Sequence, residues 1–252
     1  MTDLPDPSPK QKIKKGESIN ETIKTIVYAV LIALVVRTFT FQPYNIPSGS
    51  MIPTLLVGDY LFASKFAYGF SEFSFPVDLP IFSGRILGTP PTRGDVVIFK
   101  LPTDGATDYI KRVIGMPGDK IQVTHGQLYI NGEAVKREPM DTYDDETGHH
   151  RRFMETLPNG VKHQILQDGD DGPLDNTQVY EVPADHYFCM GDNRTNSSDS
   201  RVLNSVGYVP YVNLEAKADV IFFSLGGDAH FWEFWDWPKD LRIHRFFKSA
   251  QE

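Results

Sequence analysis

Hydrophobic and polar positions divide the chain into three regimes. Residues 1–21 are polar, with three prolines and the basic run Lys10, Lys12, Lys14 and Lys15. They lack an apolar period and are expected to form a flexible tail. Residues 23–41 then turn apolar, with an uninterrupted centre, IVYAVLIALVV, at 26–36 and charges only at Lys24 and Arg37. Nineteen residues at a helical rise of about 1.5 Å reach about 28 Å, close to the hydrocarbon thickness of a bilayer if the two end charges snorkel. This predicts a single transmembrane anchor over 22–41. A buried helix of a soluble domain and a cleaved signal peptide are the alternatives. The latter is disfavoured by the long basic region and by the lack of a small-X-small site after Val36.

Beyond Gln42 the pattern changes to short period-2 or fully apolar runs, at 58–64, 95–100, 109–114, 120–130, 180–182 and 218–223. Turn signals separate them: Pro117-Gly118-Asp119, Asn131-Gly132 and Gly191-Asp192-Asn193. The expected fold class is mainly β, one domain over 42–252. The acidic stretch 133–178, poor in apolar period, reads as an inserted hairpin and loop region with little chemistry. Two apolar clusters stand outside the strand pattern. One is Phe73, Phe75, Val77, Leu79, Ile81 and Phe82; the other is Phe231, Trp232, Phe234, Trp235 and Trp237, followed by Lys239, Arg242, Arg245 and Lys248. Aromatic rings beside basic side chains suit a headgroup layer, and ordinary packing is the alternative.

Composition adds direction. The 252 residues carry a formal charge of −8, against a general nucleic-acid binder, which needs clustered cations. Five basic and four acidic residues lie up to Val36, net +1, and 20 basic and 29 acidic residues follow, net −9. The lysines ahead of the apolar run keep the tail, 1–21, in the cytoplasm and send the domain across the membrane. A single cysteine, Cys189, excludes an internal disulfide, and no Cys/His cluster offers a zinc framework. No metal or other cofactor is expected.

Three polar segments carry candidate chemistry. Directly after the anchor, Pro47-Ser48-Gly49-Ser50-Met51-Ile52-Pro53-Thr54-Leu55 has prolines that disfavour a helix and a glycine that permits a turn presenting Ser50. A serine nucleophile needs a base. The seven histidines, at 125, 149, 150, 163, 186, 230 and 244, have no motif-like setting. The alternative is Lys111, in Asp108-Tyr109-Ile110-Lys111-Arg112-Val113-Ile114, where strand alternation puts the amine on the face of Tyr109 and Val113. An amine on an apolar face loses its preference for the charged form, although most strand lysines are simply solvated. The third segment, Gly191-Asp192-Asn193-Arg194-Thr195-Asn196-Ser197-Ser198-Asp199-Ser200-Arg201, reads as a loop braced by its own side chains, with an Asp199–Arg201 ion pair.

In their order, spacing and position after an anchor, these segments, together with Asp95 and the continuation Gly115-Met116-Pro117-Gly118-Asp119, resemble the signature blocks of bacterial type I signal peptidase, the leader peptidase family. The resemblance runs over 26–222, loosely at 133–178. It implies a membrane-bound Ser/Lys serine endopeptidase that removes signal peptides from exported preproteins after small residues at −1 and −3. It assigns Ser50 as nucleophile, Lys111 as general base, and the Ser50 N–H with the Ser48 hydroxyl as oxyanion hole. Ser197 would orient the amine, Asp199 and Arg201 would brace the site, and Gly191 would allow close backbone approach. Tyr109 and Arg112 fall in motif positions with less definite roles. A substrate strand would add between residues 44–47 and 108–110, touching Tyr44, Ile46, Pro47, Asp108, Tyr109 and Ile110, with Leu55 and Ile98 also lining the pockets. The implied location is the bacterial inner membrane, single-pass, with the catalytic domain on the periplasmic side. The implied partners are preproteins, membrane lipid and, as a candidate, the export translocon; no nucleic acid is expected. Two departures from larger family members, one anchor and one cysteine, bear on topology alone. An inactive anchored β module that binds a partner would keep the apolar patches and have no need of Ser50 and Lys111. A self-cleaving repressor would need an N-terminal DNA-binding helix pair, which residues 1–25 cannot supply.

Overall fold

The structure is a computed structural model that describes residues 15–74, 84–145, 148–226 and 240–251, with side chains in the N-terminal helix described over 19–33. The chain divides into two compact units, Met1–Arg37 and Thr38–Glu252.

The first unit is dominated by a helix, Lys15–Phe39, that begins in the polar segment ahead of the apolar run. Lys15, Glu17 and Glu21 are good helix formers, which extends the helix past the boundary set by hydropathy. Ile19, Ile23, Ile26, Val27, Tyr28, Val30, Leu31 and Ile32 are all exposed. Among the described residues no helix is long and apolar enough to cross a membrane.

The second unit is built on a seven-stranded antiparallel sheet in the order Phe41–Asn45, Asp59–Ser64, Leu214–Ser224, Val96–Lys100, Asp108–Gly115, His186–Met190 and Val209–Pro210. Val96, Val97, Ile98 and Phe99 form a continuous apolar run because both faces of that central strand are buried. Pro43, which cannot donate to a ladder, sits in the edge strand Phe41–Asn45, where the missing donor is tolerated. One core cluster, with Ile46, Met51, Leu55, Leu61, Ile98 and Ile221, lies beneath the Ser50 segment.

A four-stranded sheet joins Tyr180–Glu181, Lys120–Thr124, Gln127–Ile130 and Glu133–Ala134. The single run expected at 120–130 is in fact a hairpin. His125 and Gly126 both take positive φ, 47° and 70°, as a two-residue type I′ turn requires. The Asn131-Gly132 turn follows the same rule. The stretch 133–178 is more ordered than its sequence pattern suggests. It holds a three-stranded sheet, Lys136–Pro139, Arg152–Thr156 and Lys162–Leu166, and a hairpin, Tyr143–Asp145 with Gly148–His150. Val135 and Leu157 pack with Ile114, Ile121, Phe188 and Met190, so the region shares a core with the rest of the domain. The apolar period fails because Glu155 and His163 point inward. Of the two apolar clusters, residues 75–83 and the whole Trp232, Trp235 and Trp237 cluster lie outside the described residues.

Candidate active site

Ser50 is held in a single 3₁₀ turn, Gly49–Met51, entered from an extended Ser48 and left through an extended Ile52. Met51 and Leu55 are fully buried on either side of Pro53, anchoring the segment in the core and holding Ser50 at its rim. The loop 191–196 clamps the turn from the other side: the Asn193 N–H donates to the Ser50 carbonyl at 3.1 Å, and Asn193 Nδ2 to the Gly49 carbonyl at 3.2 Å.

Lys111 comes from the strand Asp108–Gly115 and is 3% exposed. Its Nζ lies 2.7 Å from Ser50 Oγ and 2.9 Å from the Ile110 carbonyl, and 5.3 Å from the centre of the Tyr109 ring. Burial pushes the Lys111 pKa down to about 8 against the opposing field of Asp199, Cys189 and Asp192. An amine with that pKa is neutral in about one molecule in ten at pH 7 and can accept a proton from a hydroxyl. Ser48 Oγ is 3.4 Å from Ser50 Oγ.

The polar loop forms the wall behind this pair. A Cβ on Gly191 would sit 2.2 Å from Ser197 Oγ and 2.5 Å from the Ser50 carbonyl oxygen, a distance no side chain tolerates. Ser197 Oγ is buried next to Gly191 without a hydrogen-bond partner among the described residues; its expected bond to the Lys111 amine is not formed. Asp199 accepts Arg201 Nε at 2.9 Å and Nη2 at 2.8 Å, and the Gly191 N–H at 3.1 Å. Burial favours the neutral acid, but Arg201 and these donors outweigh it and hold the Asp199 carboxyl below its usual range.

Sequence reasoning missed a second buried pair. Arg112, next to Lys111, forks onto Asp192 at 2.9 and 2.7 Å, and Thr54 Oγ1 donates to the same carboxylate at 2.5 Å. His163 lies 3.9 Å from Asp192 and 3.3 Å from Glu155, which pairs with Arg194. Two arginines and two acids, all buried, thus tie the strand, the loop and the region 133–178 together. The available signal was the coincidence of unpaired charges in apolar settings, Arg112 after Lys111 and Asp192 after Met190.

A cleft of about 510 Å³ opens over the Ser50–Lys111 pair. Its lining is Pro47, Ser48, Gly49 and Ser50 on one side and Thr107, Asp108, Tyr109, Ile110 and Lys111 on the other, with Asn196 and Ser198. Of the remaining residues expected at the substrate, Ile46, Leu55 and Ile98 are buried in the core cluster and Tyr44 packs against it, as does the cleft-lining Ile110. Phe41–Asn45 is an edge strand, and Asp108–Gly115 pairs with His186–Met190 only from Arg112 onward. On the side of residues 108–111 the cleft is therefore bounded by a strand edge that pairs with no second strand among the described residues. None of the described histidines lines it. No group of described His, Cys, Asp and Glu side chains is placed to hold a metal ion.

The family described as signal peptidase, peptidase S26, matches residues 19–223. A signal peptidase I from Rickettsia canadensis (strain McKiel) is 39% identical over 256 residues, covering 94% of this chain and 96% of the relative. One from Rickettsia typhi (strain ATCC VR-144 / Wilmington) is 36% identical over 258 residues, covering 95% and 97%. A crystal structure of a signal peptidase I from Enterococcus faecalis V583 aligns at 26% identity with a TM-score of 0.32, over 51% of this chain and 97% of that one. The protein is thus a hydrolase of the serine protease class. The chain belongs to the signal peptidase family, peptidase S26.

Proposed function

We propose that the protein is a membrane-bound signal peptidase in which Ser50 is the nucleophile and Lys111 the general base. The observation that carries this reading is the 2.7 Å contact between a serine hydroxyl and a buried lysine amine at the floor of an open cleft. Neutral Lys111 takes the Ser50 proton as Oγ attacks the scissile carbonyl, and the Ser50 N–H and Ser48 hydroxyl stabilise the oxyanion. The resulting ammonium gives its proton to the leaving amine. Water, deprotonated by the same lysine, then hydrolyses the ester and regenerates Ser50. Arg201 braces Asp199, and Gly191 lets the loop approach the nucleophile.

The preprotein adds as a strand between residues 44–47 and 108–110, with small side chains at −1 and −3 directed at walls backed by Ile46, Leu55, Ile98 and Ile110. Residues 22–41 supply a single-pass anchor: the helix runs to Phe39, and its uninterrupted apolar centre at 26–36 suits lipid. Its lysine-bearing tail, 1–21, stays in the cytoplasm, and 42–252 lies on the periplasmic side of the inner membrane. Membrane lipid is then a constant neighbour, and the export translocon a candidate one.

Ser50→Ala and Lys111→Met should each lower cleavage of a preprotein ending in Ala-X-Ala by about 10³-fold or more while circular dichroism stays unchanged. Retained cleavage in either variant removes the assignment. Protease added outside spheroplasts should digest the domain and spare the tail; the reverse pattern overturns the topology.

A further inference from the structure

A second cavity, of about 210 Å³, opens on the segment that follows the nucleophile turn. Thr54, Tyr143, Arg152, Gln164, Arg245 and Lys248 are the lining residues that give it its character, and no carboxylate of the described residues lines it. Arg245 is already neutralised by Asp59. Arg152 is not: its Nε donates to the Asp141 carbonyl at 3.1 Å and its Nη1 to Gln164 Oε1 at 3.5 Å, both neutral acceptors. The exposed Lys248 has no side-chain partner among the described residues. Both acids of Tyr143's hairpin strand face histidines: Asp144, next to Tyr143, contacts His149 at 2.6 Å, and Asp145 contacts His150 at 3.1 Å.

Two uncompensated cations therefore converge with a phenol and an amide on a concave space, in a domain whose composition is acidic. Such a field cannot come from net charge, which repels anions here; it comes from local placement. Burial, then Asp145, raises the Tyr143 hydroxyl pKa, and Arg245, Arg242 and Arg152 oppose that rise, so their positive field reaches the cavity wall. A guanidinium and an ammonium flanked by neutral donors suit a tetrahedral oxyanion, which accepts from several directions at once.

We propose that this cavity binds a phosphate group, either as free phosphate or as the phosphodiester of an anionic lipid headgroup. The site stands apart from the cleft, and its occupancy requires no catalytic step.

The test is calorimetric titration of the full chain, in neutral detergent, with inorganic phosphate against sodium chloride of matched ionic strength. Saturable one-site binding is expected. It should weaken about tenfold in Arg152→Gln, where a charge-assisted hydrogen bond is lost, and about threefold in Lys248→Gln, where an exposed charge is lost. Lys248 is exposed, so its variant keeps the fold if Arg152→Gln does not. Glycerophosphoglycerol, the soluble headgroup of phosphatidylglycerol, separates the two sources: displacement of phosphate shows that a headgroup fits, and failure to displace it shows a site for the free anion. Absence of saturable binding, or equal binding in wild type and a folded Lys248→Gln, overturns the proposal.

Discussion

The Lys111 amine is a site of local instability at the position where the proposed mechanism requires a base. Its pKa falls from 10.5 to about 8 because burial removes water from the ammonium. Below pH 8 the side chain is charged in both folded and unfolded chains, and the folded state bears the full penalty. Between pH 8 and 10.5 the unfolded chain binds more protons than the folded one, so stability rises with pH across that window. Lys111→Met should therefore unfold at higher denaturant concentration than wild type at pH 7, by about 2 to 3 kcal/mol, with the gap closing as pH approaches 10.5. Equal stability of the two at pH 7 would mean that the amine is solvated. The same ionisation should appear in catalysis as a rise of kcat/KM with a midpoint near pH 8, absent if another group is the base. Gly191 is constrained differently: its φ is unremarkable, but a methyl group there meets the Ser50 carbonyl and Ser197. Gly191→Ala should displace Ser50 and, if Ser50 is the nucleophile as proposed, cut kcat about 10²-fold at a stability cost of about 1 to 3 kcal/mol, read by kinetics and thermal unfolding together.

At the scale of elements, the junction between the strand Asp108–Gly115 and the loop after His186–Met190 depends on Arg112 and Asp192. Burial raises the Asp192 pKa, but Arg112, His163 and Thr54 together hold it below its usual value. Glu155, opposed by burial and held by Arg194 and His163, falls to about 2. Both carboxyls contribute stability above their unfolded pKa of about 4 and lose it as pH falls through the folded values. Acid unfolding should thus begin below about pH 5 and steepen towards pH 2. Asp192→Asn should lower stability at pH 7 by about 3 to 5 kcal/mol, because Arg112 is left buried without its counter-charge, and should flatten the acid limb. A neutral outcome would show that water reaches the pair. This junction also marks where sequence becomes hard to read. Ser50 and Lys111 stand out through the order and spacing of three blocks that resemble a known family; flanking prolines and strand alternation alone leave them an ordinary loop serine and strand lysine. The clamp by Asn193 and the pairing of residues 112 and 192 depend on register between distant strands, which no local pattern encodes. The strands at 133–178 are illegible for a related reason: the inward Glu155 and His163 break the period-2 signal by which strands are recognised.

At the scale of the whole molecule, charge and apolar surface are segregated along the chain. A helix with exposed isoleucines, valines and leucines belongs to the unit Met1–Arg37, and a net charge of −9 follows Val36 in sequence. The unit Thr38–Glu252 has its own sheet and, among the described residues, its own core clusters. Deleting 1–37 should therefore leave the denaturation midpoint of the domain unchanged and its cleavage of a soluble peptide within about threefold. Anchored as proposed, the enzyme meets a bilayer-inserted substrate at high effective concentration, and the deletion forfeits that advantage without removing a residue of the cleft. Cleavage of a preprotein reconstituted in vesicles should then fall by about 10²-fold. Parallel assays on the two substrates separate the possibilities: equal loss on both would mean that the helix supports the fold of the site, and no loss on either would mean that the domain reaches the membrane through a surface of its own.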